Sequence, residues 1–406
     1  MSQIFDTRYS WSRLALSLGI ATVGNVGMWS IIALLPAVQA EFGGGRGDAS
    51  VPYTLTMAGF ALGNLVLGRV VDRFGVSVAL SLAALLSSFG YVLAALSPTI
   101  WLLSGAQFLI GLGTACFFGP LLADISLWFR KRRGIAVAIA ASGNYLAGAI
   151  WPLALSGVLA ASGWRAVCWV LAALVPVVVI PAAQFLRRRV PAESMTATAQ
   201  ATSLIPRRAP YSPRTLAWML ALAGIGCCVA MSMPQVHLVA FCVDLGYGPA
   251  VGAEMLSVML MGGVVSRLIS GFITDRLGGI PTLLIGSVGQ MIGLFLYLPF
   301  DGLVSLYVVS LIFGLSQGGI VPAYAIIVRE YMPAREAGAR VGFVIMATIV
   351  GMALGGWMSG WIYDVSGSYT MAFVNGIAWN LLNIVVILTI LLRSRPGRAT
   401  GALATA

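Results

Sequence analysis

Charge is what this sequence has least of. Only 9% of its 406 residues are Asp, Glu, Lys or Arg, whereas a soluble domain carries about 25%. A chain so poor in charge has nothing with which to clothe a water-facing surface. That excludes a soluble enzyme, a disordered scaffold and a secreted disulfide module. Lysine is almost absent, since 23 of the 24 basic residues are arginine and the exception is Lys131. There is one histidine, His237, and the five cysteines (Cys116, Cys168, Cys227, Cys228 and Cys242) show no C-x-x-C spacing. They read as small membrane-buried residues, with neither metal nor disulfide implied. No G-x-x-x-x-G-K-[ST] loop is present, which argues against ATP-driven work. No paired acids or nucleophile constellation suggests catalysis, and no cofactor is expected.

What is there is hydrophobic: 59% of the residues, with a mean hydropathy of +0.94. A membrane crossing needs about 20 apolar residues. Stretches of that kind fall at 14–39, 52–70, 76–97, 99–123, 134–158, 165–186, 214–240, 251–273, 279–299, 303–328, 338–362 and 370–392. The first ends in Val38-Gln39-Ala40, which looks like a signal-peptidase site, but it is too long for a signal h-region and reads as a retained helix. The fold class expected is therefore an all-α membrane protein with twelve transmembrane helices.

The formal net charge of +11 would suggest nucleic acid in a soluble protein. Here its distribution makes it a topology signal, and no nucleic-acid partner is expected. Twenty-one basic residues lie in one set of connections and the termini, against Arg46 and Arg165 in the other set. Both termini are thus expected in the cytoplasm, in a bacterial inner membrane. A polar stretch at 187–213, rich in Arg, Pro, Ser and Thr, reads as a cytoplasmic linker between six-helix bundles at 1–186 and 214–406. An internal repeat supports two halves. Gly68-Arg69-Val70-Val71-Asp72-Arg73-Phe74-Gly75 recurs as Gly271-Phe272-Ile273-Thr274-Asp275-Arg276-Leu277-Gly278 at an offset of 203, and Gly111 and Gly314 stand at the same offset. Parallel repeats of this kind belong to transporters whose site lies between the halves.

The Gly-x-x-x-Asp-Arg-x-Gly loop, present twice, resembles the loop that marks the major facilitator superfamily. Gly68 and Gly271 would allow close helix approach, Asp72 and Asp275 would meet neighbouring helix N-termini, and Arg73 and Arg276 would pair with carboxylates. Asp124 is the expected partner of Arg73. Together these seven residues would form a conformational latch at the cytoplasmic end. Leu127-Trp128-Phe129-Arg130-Lys131-Arg132-Arg133-Gly134, continuing to Ala141-Ser142-Gly143-Asn144, resembles the fifth-helix pattern of the monocarboxylate porters and oxalate/formate antiporters. Gly163-Trp164-Arg165 and Asp364-Val365-Ser366-Gly367-Ser368-Tyr369 are similar to the same branch. The resemblance implies a major facilitator fold of two pseudo-symmetric six-helix bundles.

Arg267 is the one basic residue inside a span. It sits eight residues before Asp275, roughly 12 Å along a helix, where a cation costs about 2.5–3.5 kcal/mol to bury. No Asp or Glu lies at comparable depth. An anionic ligand suits that planar fork, and the resemblance gives an eighth-helix Arg this job. The alternative is a structural Arg bonded to backbone carbonyls. His237 could bind or gate substrate, or simply pack. Other substrate-cavity candidates are Asn25, Trp29, Tyr53, Asn144, Tyr145, Gln317 and Tyr324, with Asn64 at the position equivalent to Arg267. Each of these could equally tie helices together. Mammalian-type proton-coupled porters of this branch carry a first-helix Lys and an eighth-helix Asp. Here the first span has no interior charge and the Asp position is Gly263, so that relay does not carry over.

The expected function is alternating-access transport of a small organic anion, most simply a monocarboxylate, by a monomer in the lipid bilayer, with protons or a counter-anion as partner. Anion exchange of the oxalate/formate type is one alternative. A drug or metabolite efflux carrier is another, though it should carry a cavity carboxylate that the sequence lacks. A sensor on the same scaffold would need an added domain that the sequence does not show.

Overall fold

The computed structural model describes residues 5–188 and 211–394. Most of the linker expected at 187–213 lies outside the described residues, as do Arg189, Arg207, Arg208, Arg395 and Arg398. Among the described residues every regular element is helical. The first run comprises α1 (Arg8–Gly24), α2 (Val26–Phe42), α3 (Arg46–Phe74), α4 (Val76–Ala95), α5 (Ile100–Thr114), α6 (Gly119–Leu127) and α7 (Arg133–Gln184). The second comprises α8 (Pro213–Asp244), α9 (Gly248–Leu277), α10 (Gly279–Leu296), α11 (Leu303–Gln317), α12 (Ile320–Tyr331), α13 (Ala334–Ser366) and α14 (Tyr369–Ser394).

Eleven helical stretches among the described residues are long and apolar enough to cross a membrane. One of them, α7, has 52 residues, about 78 Å at 1.5 Å per residue and far more than the ~30 Å hydrocarbon core. It turns back at Gly163, whose φ of +76° is open to glycine and strained for other residues, so α7 makes two crossings. The corner is held from both sides. Glu41 at the end of α2 accepts from Trp164 Nε1 and from Arg165, which also donates to Ser97 O at 2.9 Å. Three other crossings are broken rather than straight. α1 and α2 meet at Asn25, α5 and α6 at a 3₁₀ turn over Ala115–Phe117, and α11 and α12 at Gly318-Gly319. The breaks at 115 and 318 repeat the offset of 203.

The same offset explains the glycine pair seen in the sequence. A Cβ on Gly111 would clash with Thr56 O, and one on Gly314 with Met259 O. Thr56 and Met259 are themselves 203 residues apart. Backbone thus lies on backbone where α5 crosses α3 and where α11 crosses α9, the small-residue mode of packing that membrane helices use. Around the outside, large apolar side chains stay bare: Trp101 and Val177 are 70% exposed and Val304 74%. A water-soluble surface of that kind would aggregate, whereas in a bilayer it meets lipid.

Between the two runs of crossings, α3 packs against α13 and α7 against α9. The ends of the bundle differ. One carries Arg69, Arg73, Arg130, Lys131, Arg132, Arg133, Arg276 and Arg329, and is called here the basic end. There Asp6 accepts from the backbone amides of Arg130, Lys131 and Arg132 at 3.1–3.2 Å. Although partial burial pulls the other way, these amides and the charge of Lys131 hold its carboxyl below the usual range. Arg13 is only 2% exposed and grips Asp124 with two nitrogens at 2.8–3.0 Å.

Candidate functional site

Arg267 lies two-thirds of the way along α9 and is 6% exposed. Its Nε donates to Gly318 O at 3.2 Å, in the break between α11 and α12. Its Nη1 crosses to the other run of helices and donates to Ala141 O at 2.6 Å. The guanidinium stands 4.2 Å from the Tyr145 ring centroid, within cation–π range. It makes no ion pair with a carboxylate among the described residues. Gly263 explains the last contact, because the space above it holds the Tyr145 ring: an added Cβ would come 3.1 Å from Tyr145 Cδ2. Where relatives of the resembling type carry Asp, this chain has an aromatic face beneath the cation.

The neighbouring polar residues form one buried group. Asn25 donates to Ala21 O and Phe117 O, at 2.8 and 3.1 Å, and so ties the kink in the first crossing to the 3₁₀ turn in the fourth. Asn144 donates to Asn25 Oδ1 at 3.3 Å, and Trp29 Nε1 donates to Asn144 O at 2.9 Å. Asn25, Trp29, Asn144, Tyr145 and Arg267 are therefore brought together.

Four other candidates are not bonded to this group, although Gln317 adjoins Gly318. Gln317 accepts from Gln235 Nε2 at 2.7 Å, leaving Gln317 Nε2 and Gln235 Oε1 buried without partners. Tyr324 donates to Asn383 at 2.9 Å inside the second run of helices. Tyr53 packs its ring on Gly356 with its hydroxyl unpartnered. His237 is fully buried: its Nε2 donates to Gly356 O at 2.7 Å, and its Nδ1 faces the Tyr369 hydroxyl at 3.1 Å. The groove between α3 and α13, 190 Å³, is lined mainly by apolar side chains such as Met57, Ile349 and Trp357, and by none of these candidates.

The basic-end loop differs from its sequence reading. Asp124 pairs with Arg13, not Arg73, because α1 runs alongside α6 and turns Arg13 inward. Arg73 lies over its own neighbour Phe74, at 5.2 Å. Gly68 and Gly271 have nothing within 4 Å of an added Cβ, so no helix among the described residues approaches them closely. Asp72, Asp275 and Arg276 are exposed and make no ion pair among the described residues. The N-terminus of α10 is met instead by Glu330, which accepts from Gly279 N at 3.2 Å. The glycine that ends each loop is what shapes the turn, with φ of +92° at Gly75 and +88° at Gly278.

Ion pairs and hydrogen bonds also join the two runs at the opposite end, where sequence reasoning placed His237 but not its partners. Asp364 accepts from the amides of Arg46 and Gly47 at 2.6 and 2.8 Å, capping α3 from α13. Arg46 pairs with Asp244 at the end of α8 and donates to the Tyr369 hydroxyl at 3.3 Å. The signal available was that Arg46 is one of only two basic residues at that end. Its acidic partners stand 198 and 318 residues away, so no local spacing links them.

Twelve crossings in two pseudo-symmetric runs, kinked helices around a buried, carboxylate-free arginine, and an end held by ion pairs define a membrane carrier. The sequence matches the model of the Major Facilitator Superfamily over residues 17–311 and 244–405, and the chain belongs to that family. It is 29% identical over 350 residues to monocarboxylate transporter 13 of Bos taurus, covering 84% of this chain and 79% of that one. It is 23% identical over 331 residues to the agnestins efflux protein AgnL12 of Paecilomyces divaricatus, covering 80% and 73%. In fold it is similar to a crystallised bacterial homologue of the human lysosomal transporter Spinster, with a TM-score of 0.70 at 14% identity over 96% of this chain and 98% of that one.

Proposed function

We propose that this carrier moves a small organic anion, most simply a monocarboxylate, and that Arg267 binds the carboxylate. The observation that carries the reading is Arg267 itself. It is a buried cation whose partners are two carbonyls and an aromatic face, contributed by both halves, with no carboxylate neutralising it. A ligand carboxylate would supply the missing charge. Because Ala141 and Tyr145 belong to one half and Gly318 to the other, an anion arriving there competes for bonds that join the halves. Binding and rearrangement are then linked by the same guanidinium.

The halves, 1–186 and 214–406, rock against each other along α3–α13 and α7–α9, with 187–213 as the linker. The arginine bias supports a cytoplasmic basic end and cytoplasmic termini, with a bacterial inner membrane as the proposed setting. The monocarboxylate relatives favour this cargo, and the protein works as a monomer. A second reading, export of a larger metabolite, is favoured by the efflux protein among the relatives and disfavoured by the lack of a carboxylate near Arg267.

Uptake of a radiolabelled short-chain acid panel into proteoliposomes tests the reading. Wild type and Arg267→Ala are run side by side, with and without a proton gradient and internal anion. The expectation is loss of uptake in the variant, while gradient or internal-anion dependence separates symport from exchange. Undiminished uptake in Arg267→Ala would sink it.

A further inference from the structure

We infer that His237 is a proton-binding site that releases the bonds holding the halves together at the Arg46 end. A carbonyl can only accept, so the 2.7 Å bond to Gly356 O fixes the proton on Nε2. Nδ1 is then the acceptor for the Tyr369 hydroxyl. That hydroxyl oxygen in turn accepts from Arg46 Nη1, and Arg46 pairs with Asp244. An unbroken chain therefore runs from α3 of one half through Tyr369 to the only histidine in the protein.

This chain is complete only with a neutral imidazole. A proton taken from water onto Nδ1 turns that nitrogen into a donor. The Tyr369 hydroxyl must then swing its own proton away, and its oxygen stands between two cations, the imidazolium and the Arg46 guanidinium. In a buried setting that repulsion counts; Asp244 and Asp364 beside Arg46 offset part of it, and the burial of the imidazolium and the lost hydrogen bond to Tyr369 supply the rest. Closure of this end and protonation of His237 thus exclude each other, and acid on this side favours opening.

The other charged and titratable groups around α8 leave this logic intact. Asp364 and Tyr363 on α13 face Arg46, and Asp244 lies on α8 itself. Glu254 of α9 is bonded to Tyr307, Glu41 of α2 to Trp164 and Arg165, and Tyr324 of α12 to Asn383. None of these is bonded to the imidazole. The inference depends neither on Arg267 nor on the identity of the cargo.

The test uses the full chain in lipid nanodiscs. Nitroxides are placed by Asp48→Cys and Val365→Cys, both exposed positions at this end; all five native cysteines are buried. The distance between them is followed by electron–electron resonance from pH 8 to pH 5. The expected result is a growing long-distance population, the opening equilibrium shifting by up to about tenfold per pH unit. His237→Gln, whose amide can keep both bonds, should stay closed throughout. Arg46→Gln should be more open at pH 8 and respond less to acid, because the second cation is gone. A wild type that ignores pH, or a His237→Gln variant that responds like wild type, overturns the inference. Wild-type protein labelled with ¹⁵N-histidine gives a reading that needs no variant, since it carries one imidazole. The Nε2–H neutral form should accompany the short distance and imidazolium the long one; imidazolium in a closed protein overturns it as well.

Discussion

Positions 64 and 267 are the same place in the two halves, and the chain uses them differently. Asn64 spends its amide on Phe60 O, one turn away on its own helix, at 2.8 Å. Arg267 reaches out of its half to Ala141 and Tyr145. Positions 111 and 314 are also equivalent, and there the halves agree: each glycine presses against a backbone carbonyl. At this pair of crossings, where backbone meets backbone, the repeat is kept, because any side chain would part the helices. Where side chains choose partners the repeat is free to diverge, and the proposed cargo site makes use of that asymmetry.

The comparison can be broken most severely at its symmetric point. Gly111→Val and Gly314→Val should each abolish recoverable folded protein, and to the same degree, as judged by monodisperse elution in detergent. A large difference between them would show that the two seams are not equivalent. Next comes the pair found in only one half. Asp124→Ala leaves Arg13 buried without its counter-charge and should cost about 3–5 kcal/mol, read as a marked fall in thermal midpoint. Exposed Asp275→Ala should leave that midpoint almost unmoved. Arg267→Ala should lower acid uptake by tenfold or more while the thermal midpoint holds or rises, since an unpaired buried cation is removed. Asn64→Ala should change uptake by less than about twofold and stability by about 1 kcal/mol, the net worth of one hydrogen bond. The smallest effect belongs to Asp6. Its folded carboxyl titrates below the unfolded value, so its contribution is present above about pH 4 and is lost as the pH falls further. Asp6→Asn should therefore lower the midpoint slightly at pH 7 and by less at pH 3.

Hydropathy and the 203-residue repeat made the fold legible, because a bilayer imposes long apolar runs and duplication leaves its offset in the glycines. Arg267 was legible for a related reason, since a cation within an apolar run has no cheap explanation. Its partners were not. Ala141 O and Gly318 O are backbone atoms, which every residue has, so no residue type announces them. Asp124 was assigned to Arg73 because both lie at the basic end, and depth in the membrane does not say which of several arginines faces a given acid. Asp364 was noticed only as part of a resemblance, and its work as a cap on α3 depends on how two distant crossings lie side by side.

The contacts at Gly111 and Gly314 carry a consequence for how the molecule stores work. Helices that touch through their main chains can neither slide nor rotate past one another without breaking contact along the whole seam. The pairs α3–α5 and α9–α11 are therefore stiff plates, and the proposed rocking of the halves would concentrate deformation in the two joints, α3–α13 and α7–α9, that run between them. A binder wedged across either joint would stall the carrier at any stage of its cycle without touching the cargo, whereas one clamped to a plate would ride along with it.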